Sequence, residues 1–163
     1  MTTIAYDGRY LAADTLGVRS GNRSEHVGCK LETRDGYAFA TGGFWGHWRA
    51  DLIRWFIEPA KDGVKPVAKH CPTTGVEGVM LVVEADTRHC SVFTHEAPYP
   101  DPEVAPFAIG TGGDIALGAM GAGLTAMEAV ALAARWDLKT GGPIDFVDLE
   151  FLDGSARGRI PWA

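Results

Sequence analysis

No stretch of this sequence is rich in lysine or arginine; 15 basic residues are scattered among 21 acidic ones, for a formal net charge of −6. A chain that binds nucleic acid through its phosphates needs a concentrated positive surface, which excludes that class as the main partner. No apolar run approaches the ~20 residues that span a bilayer. The start, Met1-Thr2-Thr3-Ile4-Ala5-Tyr6-Asp7, has neither the basic beginning nor the apolar run of a secretory signal. Cysteine is scarce: Cys29, Cys71 and Cys90 are an odd count, which fits a reducing, cytoplasmic setting. The adjacent pairs His70-Cys71 and His89-Cys90 cannot readily face one metal and lack C-x-x-C spacing, so neither metal nor cofactor is expected. Glycine, by contrast, is abundant at 21 of 163 residues. It is not periodic, and it falls between apolar runs, where tight turns and close backbone approaches need it. With 46% hydrophobic and 22% charged residues, the chain reads as one globular domain over residues 1–163.

Periodicity predicts the elements. Thr3 to Tyr6 and Tyr10 to Ala13 flank Asp7-Gly8, a dipeptide suited to a two-residue type I′ hairpin turn. The polar stretch from Arg19 to His26 reads as a loop. A second hairpin follows, Val27 to Thr33 and Tyr37 to Thr41 around Arg34-Asp35-Gly36. Trp48, Leu52, Trp55 and Phe56 then follow helical spacing until Pro59. Residues 60 to 75, with Gly63, Pro66, Pro72 and Gly75, read as irregular. Val79 to Glu84 and His89 to Thr94 read as strands, and Pro98 to Pro106 as an exposed connection. Phe107 to Ile109 reads as a short buried strand ending at Gly110-Thr111-Gly112-Gly113. Asp114 to Ala122 and Thr125 to Trp136 read as helices, the second opened by a Thr125/Glu128 capping box. Ile144 to Phe151 reads as a last strand. Runs of strands and of helices, without regular β-α-β alternation, predict an α+β fold of antiparallel sheets covered by helices. Gly110 to Gly113 lacks a third glycine in register and the following β-α-β unit of a dinucleotide fingerprint.

Several of these segments resemble the family of proteasome β-subunits and the bacterial proteasome-related peptidase HslV. Met1-Thr2-Thr3-Ile4 is similar to the family's N-terminus, where removal of methionine exposes a threonine. Phe107-Ala108-Ile109-Gly110-Thr111-Gly112-Gly113 looks like its Ala-Ile-Gly-Ser-Gly-Gly stretch. The order and spacing of these motifs carry the resemblance from Thr2 to about Asp148. It implies a four-layer αββα sandwich of the N-terminal-nucleophile (Ntn) hydrolases, two antiparallel sheets flanked by helices, with the second outer helix reduced because residues 60 to 75 cannot supply it. The family's nucleophile falls on Thr2, its strand-end aspartate on Asp14, and its essential lysine on Lys30. Its oxyanion glycine falls on Gly42 or, one residue along, on Gly43. Its helix-start serine is replaced by Thr111, and its Asp-x-x-Ser-Gly motif reads Asp137-Leu138-Lys139-Thr140-Gly141. Both replacements keep a hydroxyl.

What the resemblance implies is a threonine-type endopeptidase in a ring-shaped homo-oligomer, acting on peptides or unfolded proteins, with an AAA+ unfoldase as the expected partner. An N-terminal threonine carries its own base, an α-amino group of pKa roughly 7.7–8.0. Lys30 would favour the alkoxide, Asp14 would hold Lys30, and Thr111, Asp137 and Thr140 would orient the amine and a water. Two other readings stand beside this one: a structural assembly protein that keeps the fold, and an amidase acting on a non-peptide amide. The aromatics Phe44, Trp45, Trp48, Trp55 and Phe56 read as core or subunit interface. Gly118, Gly121, Ala122 and Gly123 read as close helix contacts suited to ring-to-ring packing.

Overall fold

The computed structural model describes residues 2–19, 22–27, 29–44, 48–62, 71, 77–95, 101–151 and 157–161. Within them the chain is an α+β fold with two five-stranded antiparallel sheets, a two-stranded ribbon and three helices. The first sheet runs β10 (Phe107–Gly110), β1 (Thr3–Tyr6), β2 (Tyr10–Asp14), β11 (Ile144–Asp148), β12 (Arg157–Ile160). The second runs β5 (Leu31–Arg34), β6 (Tyr37–Gly43), β7 (Gly78–Glu84), β8 (Cys90–Thr94), β9 (Asp101–Glu103). The ribbon pairs β3 (Leu16–Arg19) with β4 (Asn22–Val27). The helices are α1 (Arg49–Ala60), α2 (Gly113–Gly121) and α3 (Ala126–Trp136). None is long and apolar enough to cross a membrane.

The two-residue alternation of strand side chains sorts the core into three clusters. Ile4 and Tyr6 of β1, with Leu11 and Ala13 of β2, meet Leu31, Ala38, Ala40, Leu81 and Val83 of the second sheet. The opposite face of the first sheet, through Ala5, Ala12 and Ile144, packs on Ala116, Ala119, Ala126, Ala129, Val130 and Ala133 of α2 and α3. Alanine on both sides lets these helices lie close to the strands. The far face of the second sheet, Phe39, Met80, Val82 and Phe93, packs on Leu52, Ile53, Trp55 and Ile57 of α1. Each large side chain fully buried this way contributes about 1.5–3 kcal/mol. Phe56 makes edge-on ring contacts with Tyr37, Phe39 and Phe93.

Several expectations need correcting. The turn between β1 and β2 is not a two-residue type I′ turn: Tyr6 pairs with Leu11, and only Gly8 of the Asp7-Gly8 pair has positive φ. Asp7 instead accepts the N–H groups of Arg9 and Tyr10 at 2.8 and 2.7 Å through one oxygen, and that of Ala126 at the head of α3 at 2.8 Å through the other. The two-residue turn with positive φ at both positions is at Asp35-Gly36 (49° and 80°), closed by Arg34 opposite Tyr37. Arg19 to His26 is mostly strand rather than loop, because main-chain pairing needs no apolar face to form a ribbon. That pairing also puts Val27 in β4 rather than in the second hairpin. Pro59 lies inside the last turn of α1 rather than ahead of its end. β10 is a sheet edge and only half-buried. Strands β9 and β12 were not foreseen; Pro102 is tolerated in β9 because that strand too lies at an edge. Of the aromatics expected in the core or at a subunit interface, Trp55 is buried in the core, and Phe44 and Trp48 lie outside it on the surface of the single chain. The capping box of α3 is formed as expected, with the Thr125 side chain accepting from Glu128 and the Glu128 side chain from the Thr125 N–H. Most of residues 60 to 75, where the reduced outer helix is expected, lie outside the described residues, as do His70, Trp45 and Pro98 to Pro100.

Candidate active site

The head of β1 is where the sheets and helices bring polar groups together. Thr2 is 4% exposed, and its carbonyl accepts the Thr111 N–H at 3.1 Å. Gly110 makes that approach possible. It has φ +97°, and a Cβ placed on it would lie 1.7 Å from the Thr2 carbonyl oxygen. Gly110→Ala is therefore expected to force the chain ends of β1 and β10 apart, lowering the thermal midpoint by several degrees; an unchanged midpoint would show that this contact is not needed for the fold.

Asp14, at the end of β2, is fully buried and takes four donors. One oxygen accepts the Thr3 N–H at 2.8 Å and the Lys30 ammonium at 2.7 Å. The other accepts the N–H groups of Leu16 at 3.2 Å and Gly141 at 3.3 Å. Only 12% of the Lys30 side chain is exposed. Burial pulls its pKa below the ordinary lysine value, against the opposing pull of Asp14. The main chain beside Lys30 is held from two sides: its carbonyl accepts the Thr41 N–H at 2.9 Å, and the Cys29 carbonyl accepts from Arg49 of α1. Arg49 also bonds Glu32 at 3.1 Å.

The two glycines left open by the sequence divide the work. A Cβ on Gly42 would sit 3.2 Å from both Cβ and Cγ2 of Thr2, so the bare backbone of Gly42 leaves Thr2 its room. The ladder directs their amides differently. Thr41 N–H points to Lys30, just before β5, and Phe44 N–H points to Glu77, just before β7. Alternation then turns the Gly42 N–H toward Val79 of β7, its partner, and the Gly43 N–H toward the side of β6 on which Lys30 lies.

The third group lies past the end of α3. Asp137 accepts the hydroxyls of Thr111 and Thr140, both at 2.6 Å, on one oxygen and the Lys139 N–H at 3.1 Å on the other. Burial pushes its pKa up, but these bonds together outweigh that and hold it below the ordinary carboxylate value. Thr140 is fully buried, and its hydroxyl lies 2.5 Å from that of Thr3.

All seven candidates thus meet around the first residues of β1. Thr2 touches Gly42 and Thr111; Asp14 holds Lys30; Asp137 holds Thr111 and Thr140. Sequence reasoning missed Thr3, Arg49, Gly112 and Gly141, whose contacts come from remote parts of the chain. The adjacency of Thr3 to Thr2 was the one signal available. The Thr111 and Gly112 amides already donate to Thr2 and Thr3, so the turn before α2 does not present those two donors to a phosphate. Among the described residues no group of three or more His, Cys, Asp or Glu is placed to hold a metal.

No protein-family model matches the chain, and no curated protein sequence matches it either. Among solved structures it is similar to Thiobacillus denitrificans BPH, at 16% identity and a TM-score of 0.62, over 99% of this chain and 98% of that one. At that identity the likeness concerns the fold alone.

Proposed function

We propose that this chain is a proteasome- and HslV-like Ntn hydrolase, built as the family's four-layer αββα sandwich, that cleaves peptide bonds with Thr2 once Met1 is removed. The observation that supports this reading is the convergence of a buried Lys30–Asp14 pair and an Asp137–Thr111–Thr140 cluster on the adjacent Thr2 and Thr3 at the head of β1. Loss of Met1 turns the Thr2 nitrogen from an amide into an amine able to take the hydroxyl proton. The Lys30 ammonium favours the alkoxide, and Asp14 fixes the ammonium in place. Attack on a substrate carbonyl gives a tetrahedral oxyanion that receives the Gly43 N–H, a donor worth about 3 kcal/mol. Gly42 supplies the space for that approach. Collapse leaves an acyl-enzyme on Thr2, which water held near Thr111, Asp137 and Thr140 hydrolyses.

The same reading carries a ring-shaped homo-oligomer enclosing the sites, unfolded polypeptide as substrate and an AAA+ unfoldase as partner.

The test is intact mass before and after incubation with a peptide epoxyketone, which captures an N-terminal threonine through both hydroxyl and amine. The expected result is a chain lacking Met1 that gains one adduct, mapped to Thr2. A mass that keeps Met1 and gains nothing would sink the peptidase reading and leave the assembly protein in its place.

A further inference from the structure

Thr3 stands between the two polar arms of the site. It is fully buried. Its main-chain N–H goes to the same Asp14 oxygen that holds Lys30, at 2.8 Å. Its hydroxyl lies 2.5 Å from Thr140 and accepts the Gly112 N–H at 3.1 Å. The direction of each proton follows from counting. An ionised carboxylate only accepts, so the Thr140 hydroxyl donates its single proton to Asp137. In the Thr3–Thr140 contact the donor must then be Thr3, whose oxygen accepts from Gly112. The chain reads Gly112 N–H to Thr3 O–H to Thr140 O–H to Asp137, and Thr111 donates to the same carboxylate oxygen from the other side.

A second observation points the same way. A Cβ on Gly112 would lie 2.6 Å from the Thr3 hydroxyl and 2.9 Å from that of Thr140. The absence of a side chain there is what leaves these two hydroxyls room to meet.

We propose that Thr3 is the positioning residue of this site. Its hydroxyl locks Thr140 onto Asp137 while its amide is tied to the Asp14–Lys30 pair, so that both arms are registered to Thr2 through one neighbour. The proposal rests on the reading of Thr2 as nucleophile. The Thr111 and Thr140 protons are both aimed at Asp137, so on that reading what these two hydroxyls have left to offer the Thr2 amine is lone pairs, which leaves the amine as a donor with its own lone pair for its hydroxyl.

Thr3→Val keeps the shape and the Asp14 contact and removes the hydroxyl; Thr3→Ser restores it. In the full-length processed protein, Thr3→Val is expected to take up epoxyketone about tenfold more slowly. The acid limb of its rate–pH profile is expected to move to lower pH, because loosened acceptors stabilise the ammonium less. Thr3→Ser is expected to recover most of both effects. A Thr3→Val protein that labels at the wild-type rate with a superimposable pH profile overturns the proposal. Should Thr3→Val fail to fold, Thr3→Cys, similar in size and a weak donor, is read the same way. If the wild type itself takes up no inhibitor, the reading of Thr2 falls separately, and the Asp137 carboxyl carbon, titrated by NMR, decides. The expected result is a higher pKa in Thr3→Val than in wild type and Thr3→Ser, because Thr140 loses the donor that polarises it. One titration curve shared by all three overturns the proposal.

Discussion

Asp14→Ala is expected to destabilise the fold by about 3–5 kcal/mol, the cost of leaving a buried charge without its partner. Asp14 is fully buried and is the one acceptor shared by the Lys30 ammonium and three main-chain N–H groups, from Thr3, Leu16 and Gly141. Alanine removes every one of these acceptors while Lys30 stays almost enclosed. Asp14→Asn, which keeps one oxygen for part of the set, is expected to lose less. Urea titrations of the three proteins make the comparison; an Asp14→Ala change below about 1 kcal/mol would show that solvent reaches the pair and that the carboxylate is not organising the strand end.

The sign of the Lys30 shift sets how its contribution to stability varies with pH. Its folded pKa lies below the ordinary lysine value even with Asp14 in contact. The charged form is thus harder to keep in the folded chain than in the unfolded one. Below the folded pKa the lysine costs stability in full, and that cost is relieved as pH rises from there toward the unfolded value. On the proposed reading of Thr2 as nucleophile the ammonium is there to favour the alkoxide, so the Asp14 variants are to be read for labelling as well as for folding.

How much of this was legible in the sequence depended on how local the signal was. The Thr125/Glu128 capping box needs only residues three apart, and the structure forms it as written. The helical stripe of Leu52, Trp55 and Phe56 and the alternation along Val79 to Glu84 located α1 and β7 because each buries a face. The β3–β4 ribbon escaped because Arg19 to His26 carries no apolar alternation, and backbone pairing leaves no mark in composition. The seven site residues came from resemblance, since neither periodicity nor propensity singles out Asp14 or Lys30. The contacts that join them span the chain: Thr3 meets Gly112 across 109 positions and Thr140 across 137. Only the folded register, with Thr3 opposite Gly110, brings those segments together.

Thr2→Ala is expected to reduce hydrolysis and epoxyketone uptake to background while leaving the fold in place. Removal of a hydrolase nucleophile costs on the order of 10⁶ in kcat where it has been measured. The structural cost is far smaller. Alanine keeps the main chain, so the Thr2 carbonyl still receives the Thr111 N–H, and Gly42 still packs on a Cβ. Loss of one methyl and one hydroxyl from a site that is 4% exposed is expected to cost about 1 kcal/mol. Alanine at position 2 is also small enough for methionine excision, so the two proteins share an N-terminus and differ only in the hydroxyl. Lys30→Ala is expected to fall nearly as far by another route: the hydroxyl remains, but without the ammonium the alkoxide is not favoured. The double variant is then expected to be no slower than Thr2→Ala alone, because once the hydroxyl is gone Lys30 has no alkoxide to stabilise. Initial rates on an unfolded protein substrate, with intact mass on each sample, separate the cases. A Thr2→Ala protein that still turns over substrate would remove Thr2 from the chemistry, and with it the reason for Lys30, Asp14 and Asp137 to converge where they do.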